Sequence, residues 1–96
     1  MFFKSPKEPE IHNLAKGFLC AKNEDELLRF LRDLCTISEI EEMASRFSAA
    51  KMLDEKKSIR EIAAKTGLST TTVSRVGQWK KSLGEGGYDL ILSRLQ

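Results

Sequence analysis

The side chains best suited to chemistry in this 96-residue chain lie together between Lys57 and Lys81. Thr70, Thr71, Ser74, Arg75 and Gln78 fall on one face of a single predicted helix, short hydroxyls followed by longer hydrogen-bonding groups. No nucleophile, acid pair or phosphate-cradling loop accompanies them, so the chemistry offered is hydrogen bonding and charge pairing rather than bond making. Short side chains let a helix backbone approach base edges in a major groove, and hydroxyls serve bases and phosphates alike. A plainer reading stands beside this one: a threonine cluster at a helix start is also ordinary capping chemistry.

The element that must position these groups is the segment Ser58 to Gln78, SIREIAAKTGLSTTTVSRVGQ, which reads as two short capped helices joined at Gly67. Ser58 caps the first helix, and Glu61 three residues on can complete a capping box; Ser69 caps the second helix in the same way. Gly67 falls where the chain reverses sharply and where a positive φ favours a residue without Cβ. Ile59, Ile62 and Ala63 share one face of the first helix and Val73 and Val76 one face of the second, with Leu68 anchoring the turn. Ala63 lies where the two helices would cross, so a larger side chain there would hold them apart. This is the layout of a helix-turn-helix, although a glycine-centred turn also joins two helices of a plain bundle.

Charge sharpens the choice. The net charge is only +2, yet Lys51 to Lys81 carries eight Lys or Arg against three acids, which gives +5 there and −3 elsewhere. Concentrated positive charge on the reading segment suits phosphate contact, and the acids elsewhere discourage wrong orientations on DNA. Lys57, Lys65, Lys80 and Lys81 are the phosphate candidates and Arg60 the base-contact candidate. A basic surface for acidic proteins is the other use of such a pattern.

The length and the 41% apolar content suit one domain over 1–96, with residues 1–9 a loose N-terminal arm. Ile11, Leu14, Ala15, Phe18 and Leu19 predict a first helix after Pro6 and Pro9. Asn23 with Glu26 opens a second helix bearing Leu27, Phe30, Leu31 and Leu34, and Ser38 with Glu41 opens a long third that reaches about Glu55. Gly84-Glu85-Gly86-Gly87 then breaks the chain before a last helix with Tyr88, Ile91, Leu92 and Leu95. No strand alternation occurs, so the class is all-α with about five or six helices. That is little length for a self-contained bundle, and the apolar stripes of the terminal helices would be buried most easily against a second copy of the chain. Met1-Phe2-Phe3-Lys4 is not followed by a long apolar run, so neither a signal peptide nor a membrane span is expected and the location is cytoplasmic.

Cys20 and Cys35 are too far apart for a paired-cysteine motif, and one histidine, His12, leaves no set of zinc ligands, so no metal is expected. Both cysteines read as buried, reduced thiols. The adjacent acids Glu41 and Glu42 point different ways on a helix. No catalytic residue is assigned, and an enzyme is not expected.

The capped long helix, the run SIREIAAKTGLSTTTVSR and the closing WKKSLGEGGYDLIL together resemble the Trp repressor superfamily, and within it the Trp-repressor-like YerC/YecD group, over roughly residues 11–95. The resemblance implies an intertwined helical homodimer whose helix-turn-helix units protrude as two heads. It implies that Arg60 contacts DNA and that Thr70, Thr71, Thr72 and Ser74 occupy recognition positions, with Ser69, Arg75 and Gln78 beside them. Ala63 replaces a lysine of the repressor, so the operator sequence does not carry over. The resemblance also places Thr36, Arg46 and Arg75 at positions that surround a tryptophan corepressor, where two guanidiniums can sandwich an indole or hold a carboxylate. Val76 and Trp79, however, stand where the repressor has glycine and serine. Trp79, Val76 or both are expected to fill the cavity and hold the heads without a free ligand, so no cofactor is assigned and an L-tryptophan-like corepressor is disfavoured.

The resulting expectation is a sequence-specific regulator of transcription, most simply a repressor, that binds double-stranded DNA at a palindromic operator as a homodimer. The alternative is a helical protein-interaction module that keeps the helix-turn-helix as a scaffold and uses its basic face for an acidic partner.

Overall fold

The computed structural model describes residues 4–95. Six α-helices and no strands are present among the described residues: α1 Glu8–Cys20, α2 Glu24–Leu34, α3 Ile37–Asp54, α4 Ile59–Thr66, α5 Thr70–Gln78 and α6 Gly87–Arg94. A π-helical segment, Trp79–Leu83, continues α5. The chain divides into two compact units, and the division falls after Ile40, within α3.

Sequence chemistry sets most of the boundaries. Asn23 Oδ1 accepts from the Glu26 N–H at 2.9 Å, and Glu26 reaches back to the Lys22 N–H at 2.9 Å, so the start of α2 is satisfied from both sides. α1 starts earlier than expected. It begins at Glu8, inside the expected arm, because Pro9 in the first turn loses no helical hydrogen bond; the Met1–Phe3 part of that arm lies outside the described residues. α3 also starts differently from the sequence reading. Its capping box is Thr36 with Glu39 rather than Ser38 with Glu41: Thr36 Oγ1 accepts from the Glu39 N–H at 3.1 Å and the Glu39 carboxylate accepts from the Thr36 N–H at 2.8 Å. Hydrogen bonding to the carboxylate from the Thr36 backbone N–H first, and from the Thr36 side chain second, holds the Glu39 carboxyl below its ordinary range.

In the first unit, Gly17 of α1 faces the Phe30 ring of α2, and Phe18 and Phe30 meet edge to face with centroids 5.5 Å apart. No residue of α1 or α2 is fully buried. Leu14, Leu19, Leu28 and Leu34 are exposed in the single chain, Leu19 by 85%. Cys20 is exposed and Cys35 half-buried, which corrects the reading of both as buried thiols.

The core lies in the second unit. Ala49 and Ala50 of α3, Ile62 of α4 and Val73 and Val76 of α5 are buried, with Leu53, Ala63, Leu68, Tyr88 and Leu92 packed around them. The two small alanines bring α3 into one buried cluster with Ile62 and Val73, the largest side chains that are fully buried. α3 ends after Asp54 in a Schellman turn, with Lys57 N–H donating to the Met52 carbonyl and Lys56 N–H to that of Leu53. Lys56 occupies the left-handed position of that turn, φ 66°, where glycine is usual.

Candidate nucleic-acid interface

Helix α4 begins as its residues require. Ser58 Oγ accepts from the Glu61 N–H at 3.1 Å. The Glu61 carboxylate pairs forward with Lys65 at 3.2 Å. Only the serine half of the expected capping box therefore has its bond among the described residues. α4 ends at Gly67, φ 79°, whose N–H donates to the Ala63 carbonyl at 3.0 Å. Thr66 trims the same turn, its hydroxyl donating to the Ile62 carbonyl at 2.7 Å and accepting from the Leu68 N–H at 3.3 Å. Ser69 Oγ then starts α5, accepting from the Thr72 N–H and donating to Thr72 Oγ1, both at 3.0 Å.

These bonds sort the hydroxyls. Ser69 and Thr72 are committed to capping, the plainer of the two sequence readings, and Thr72 and Ser74 are half-buried. Thr70, Thr71, Arg75 and Gln78 stand exposed on α5 and Arg60 on α4, with no side-chain hydrogen bond or ion pair to the described residues. Val73 and Val76 turn the opposite face of α5 into the core, so the packing fixes which face looks outward. Lys81 is exposed, Lys57 half-buried, and Lys65 exposed within its pair to Glu61.

Lys80 departs from expectation. Its ammonium lies 2.5 Å from Asp54 and 2.8 Å from Asp89, with the side chain only 16% exposed. Hydrogen bonds to Asp54 first and Asp89 second push it above its ordinary range. A lysine held by two carboxylates is withdrawn from the phosphate candidates. The sequence showed Asp54, Lys80 and Asp89 as scattered charges, and no spacing rule joins positions so far apart.

The residues singled out for a ligand divide. Arg46, Arg75, Val76 and Trp79 line a cavity of about 470 Å³, together with Thr72 and Tyr88, which the ligand reading had not included. Thr36 belongs to the other unit, where its hydroxyl caps α3. Val76 is buried and closes one wall, but Trp79 is 54% exposed and stands beside the cavity. The expected filling is therefore a narrowing: both residues line the cavity and neither occupies it. Arg46 already pairs with Glu42 at 2.9 Å, one turn back on α3. Among the described residues no group of three His, Cys, Asp or Glu side chains is placed to hold a metal ion, and no helix is long and apolar enough to cross a membrane.

Comparison with known proteins agrees with this architecture. The chain is 39% identical over 89 residues to the uncharacterized protein YerC of Bacillus subtilis (strain 168), covering 91% of this chain and 83% of that protein. A TrpR-like protein from Eubacterium eligens ATCC 27750 superposes with a TM-score of 0.85 at 41% identity, covering 92% of this chain and 90% of the other. A candidate Trp repressor from Staphylococcus aureus superposes with a TM-score of 0.84 at 30% identity, covering 95% and 94%. The profile of the Trp repressor protein family matches residues 9–96. A six-helix chain with this turn geometry and this match across nearly its whole length belongs to the Trp repressor family.

Proposed function

We propose that the protein is a sequence-specific DNA-binding regulator of transcription, acting in the cytoplasm as a repressor through the helix-turn-helix of α4 and α5. The observation that carries this reading is the outward face of that unit. The burial of Ile62, Val73 and Val76 leaves Arg60, Thr70, Thr71, Arg75 and Gln78 exposed together, with Lys57, Lys65 and Lys81 on the same two helices or beside them. Exposed donors and hydroxyls with cations on the same helices or beside them match base edges flanked by phosphates.

The active form is a homodimer on a palindromic operator, its reading helices about 34 Å apart. The first unit, with exposed leucines and no residue fully buried on α1 or α2, supports this, because such a surface has much apolar area left to cover. Light scattering should give twice the 10.9 kDa chain mass. The head takes no free ligand, since Val76 closes one wall of the cavity lined by Arg46 and Arg75 and narrows it; calorimetric titration with L-tryptophan should show no binding, and micromolar binding would overturn that point.

The decisive experiment selects bound duplex from a random pool. A palindromic consensus, bound less tightly as salt rises, supports the reading, and Arg60→Ala should then cost about 1–3 kcal/mol at the cognate site. Failure to bind any duplex would favour a protein-interaction module on the same scaffold.

A further inference from the structure

Three elements meet at one ammonium. Lys80 lies in the π segment that prolongs α5, Asp54 is the last residue of α3, and Asp89 lies in the first turn of α6. The two acids face opposite helix ends. Asp89 suits the positive N-terminus of α6, whereas Asp54 sits at the negative C-terminus of α3 and is favourable there only with a cation beside it. Both carboxylates remain about half exposed, at 47% and 60%, so the pairs add little to global stability. Their effect is geometric.

The surrounding backbone is tight in the same place. Gly84 closes the π segment, and a Cβ there would run into the Trp79 carbonyl oxygen. Gly77, at the end of α5, faces Leu53 of α3, with room for only an ordinary contact at 3.6 Å. The end of the reading helix is thus pressed on α3 by packing and tied to α6 by charge. We propose that Lys80, Asp54 and Asp89 form a latch through which α6 sets the angle of α5, making Asp89 a positioning residue for DNA reading although it contacts no DNA. This rests on the function proposed above.

The latch makes a prediction opposite in sign to simple electrostatics. Asp89→Asn removes a negative charge, which by charge alone strengthens binding to a polyanion. With the latch, the same variant weakens binding to the selected duplex by three- to tenfold. Lys80→Met should weaken it similarly without changing the salt slope, whereas Lys81→Met, the loss of one phosphate contact in each protomer of the dimer, should lower that slope by about 1.8. Hydrogen exchange on the free protein gives an arm independent of DNA: amides of Trp79–Leu83 and the last turn of α5 should exchange about two- to fivefold faster in Asp89→Asn.

Tighter binding by Asp89→Asn, unchanged exchange, or a reduced salt slope in Lys80→Met would each overturn the latch. If the wild-type protein binds no duplex, the DNA reading fails and exchange alone decides: faster exchange upholds the tie between α6 and α5, and unchanged exchange removes it. Should Lys80→Met not fold, Asp89→Asn still tests the proposal, because it changes one exposed acceptor.

Discussion

Two left-handed residues flank α4, and exchanging their chemistry tests whether backbone conformation, rather than contact, fixes the reading head. Gly67 has φ 79°, and a Cβ built there meets nothing within 4 Å, so Gly67→Ala creates no clash. Its cost is conformational: about 1–2 kcal/mol for an L-residue in the left-handed region. Alanine also restricts the unfolded chain, which returns roughly 0.4–1 kcal/mol. The net loss should be near 1 kcal/mol. Lys56 is the mirror case. It holds φ 66° with a side chain present, so Lys56→Gly should remove the strain and, after the unfolded-state entropy of glycine, gain about 0.5–1 kcal/mol. Urea unfolding at one fixed protein concentration would measure both, since self-association shifts apparent stability. The m-value should not change, because neither variant alters the buried surface. If Gly67→Ala proves neutral, or if both variants shift stability in the same direction, the conformational argument fails.

Other expectations concern the core, the π segment and the α3 cap. Ile62 is fully buried between α3 and α5, so Ile62→Ala should cost about 2–5 kcal/mol in the same assay and abolish DNA binding at temperatures where wild type is folded. Gly84→Ala differs from Gly67→Ala because φ is ordinary and the obstacle is the Trp79 carbonyl oxygen, which the new Cβ would strike; it should lower the melting temperature more than Gly67→Ala and expose the Trp79–Leu83 amides to faster exchange. The Glu39 carboxyl, lowered by its bonds to Thr36, contributes stability that is fully present above its ordinary pKa of 4.5 and is lost as pH falls through its depressed value. The stability difference between wild type and Glu39→Gln, followed by urea unfolding from pH 6 downward, should therefore shrink below pH 4.5.

Local signals in the sequence were legible wherever the responsible bonds span a few residues. Asn23, Ser58 and Ser69 cap the helices their positions indicated, and Gly67 turns the chain as its missing Cβ suggested. Ile62, Val73 and Val76 were readable as core from their spacing. The start of α3 was misplaced because two overlapping hydroxyl-to-acid spacings, Thr36 with Glu39 and Ser38 with Glu41, are equivalent on paper. Only the former is bonded in the fold. The π segment had no visible signal, since lengthening the hydrogen-bond step leaves residue types unchanged; Gly84 marks it only once the Trp79 carbonyl is seen to occupy the space a Cβ would need.

By itself, then, the sequence determined the helices, their caps, the turn at Gly67 and the basic bias of the 51–81 segment, because each follows from interactions within a few positions of the chain or from simple summed charge. The tertiary structure decided which of those side chains stay available. It spent Ser69 and Thr72 on a cap, drew Lys80 between Asp54 and Asp89, and placed Trp79 beside a cavity it was expected to fill. Availability depends on neighbours that are distant in sequence and close in space, and only the packing of α3, α5 and α6 brings those neighbours together.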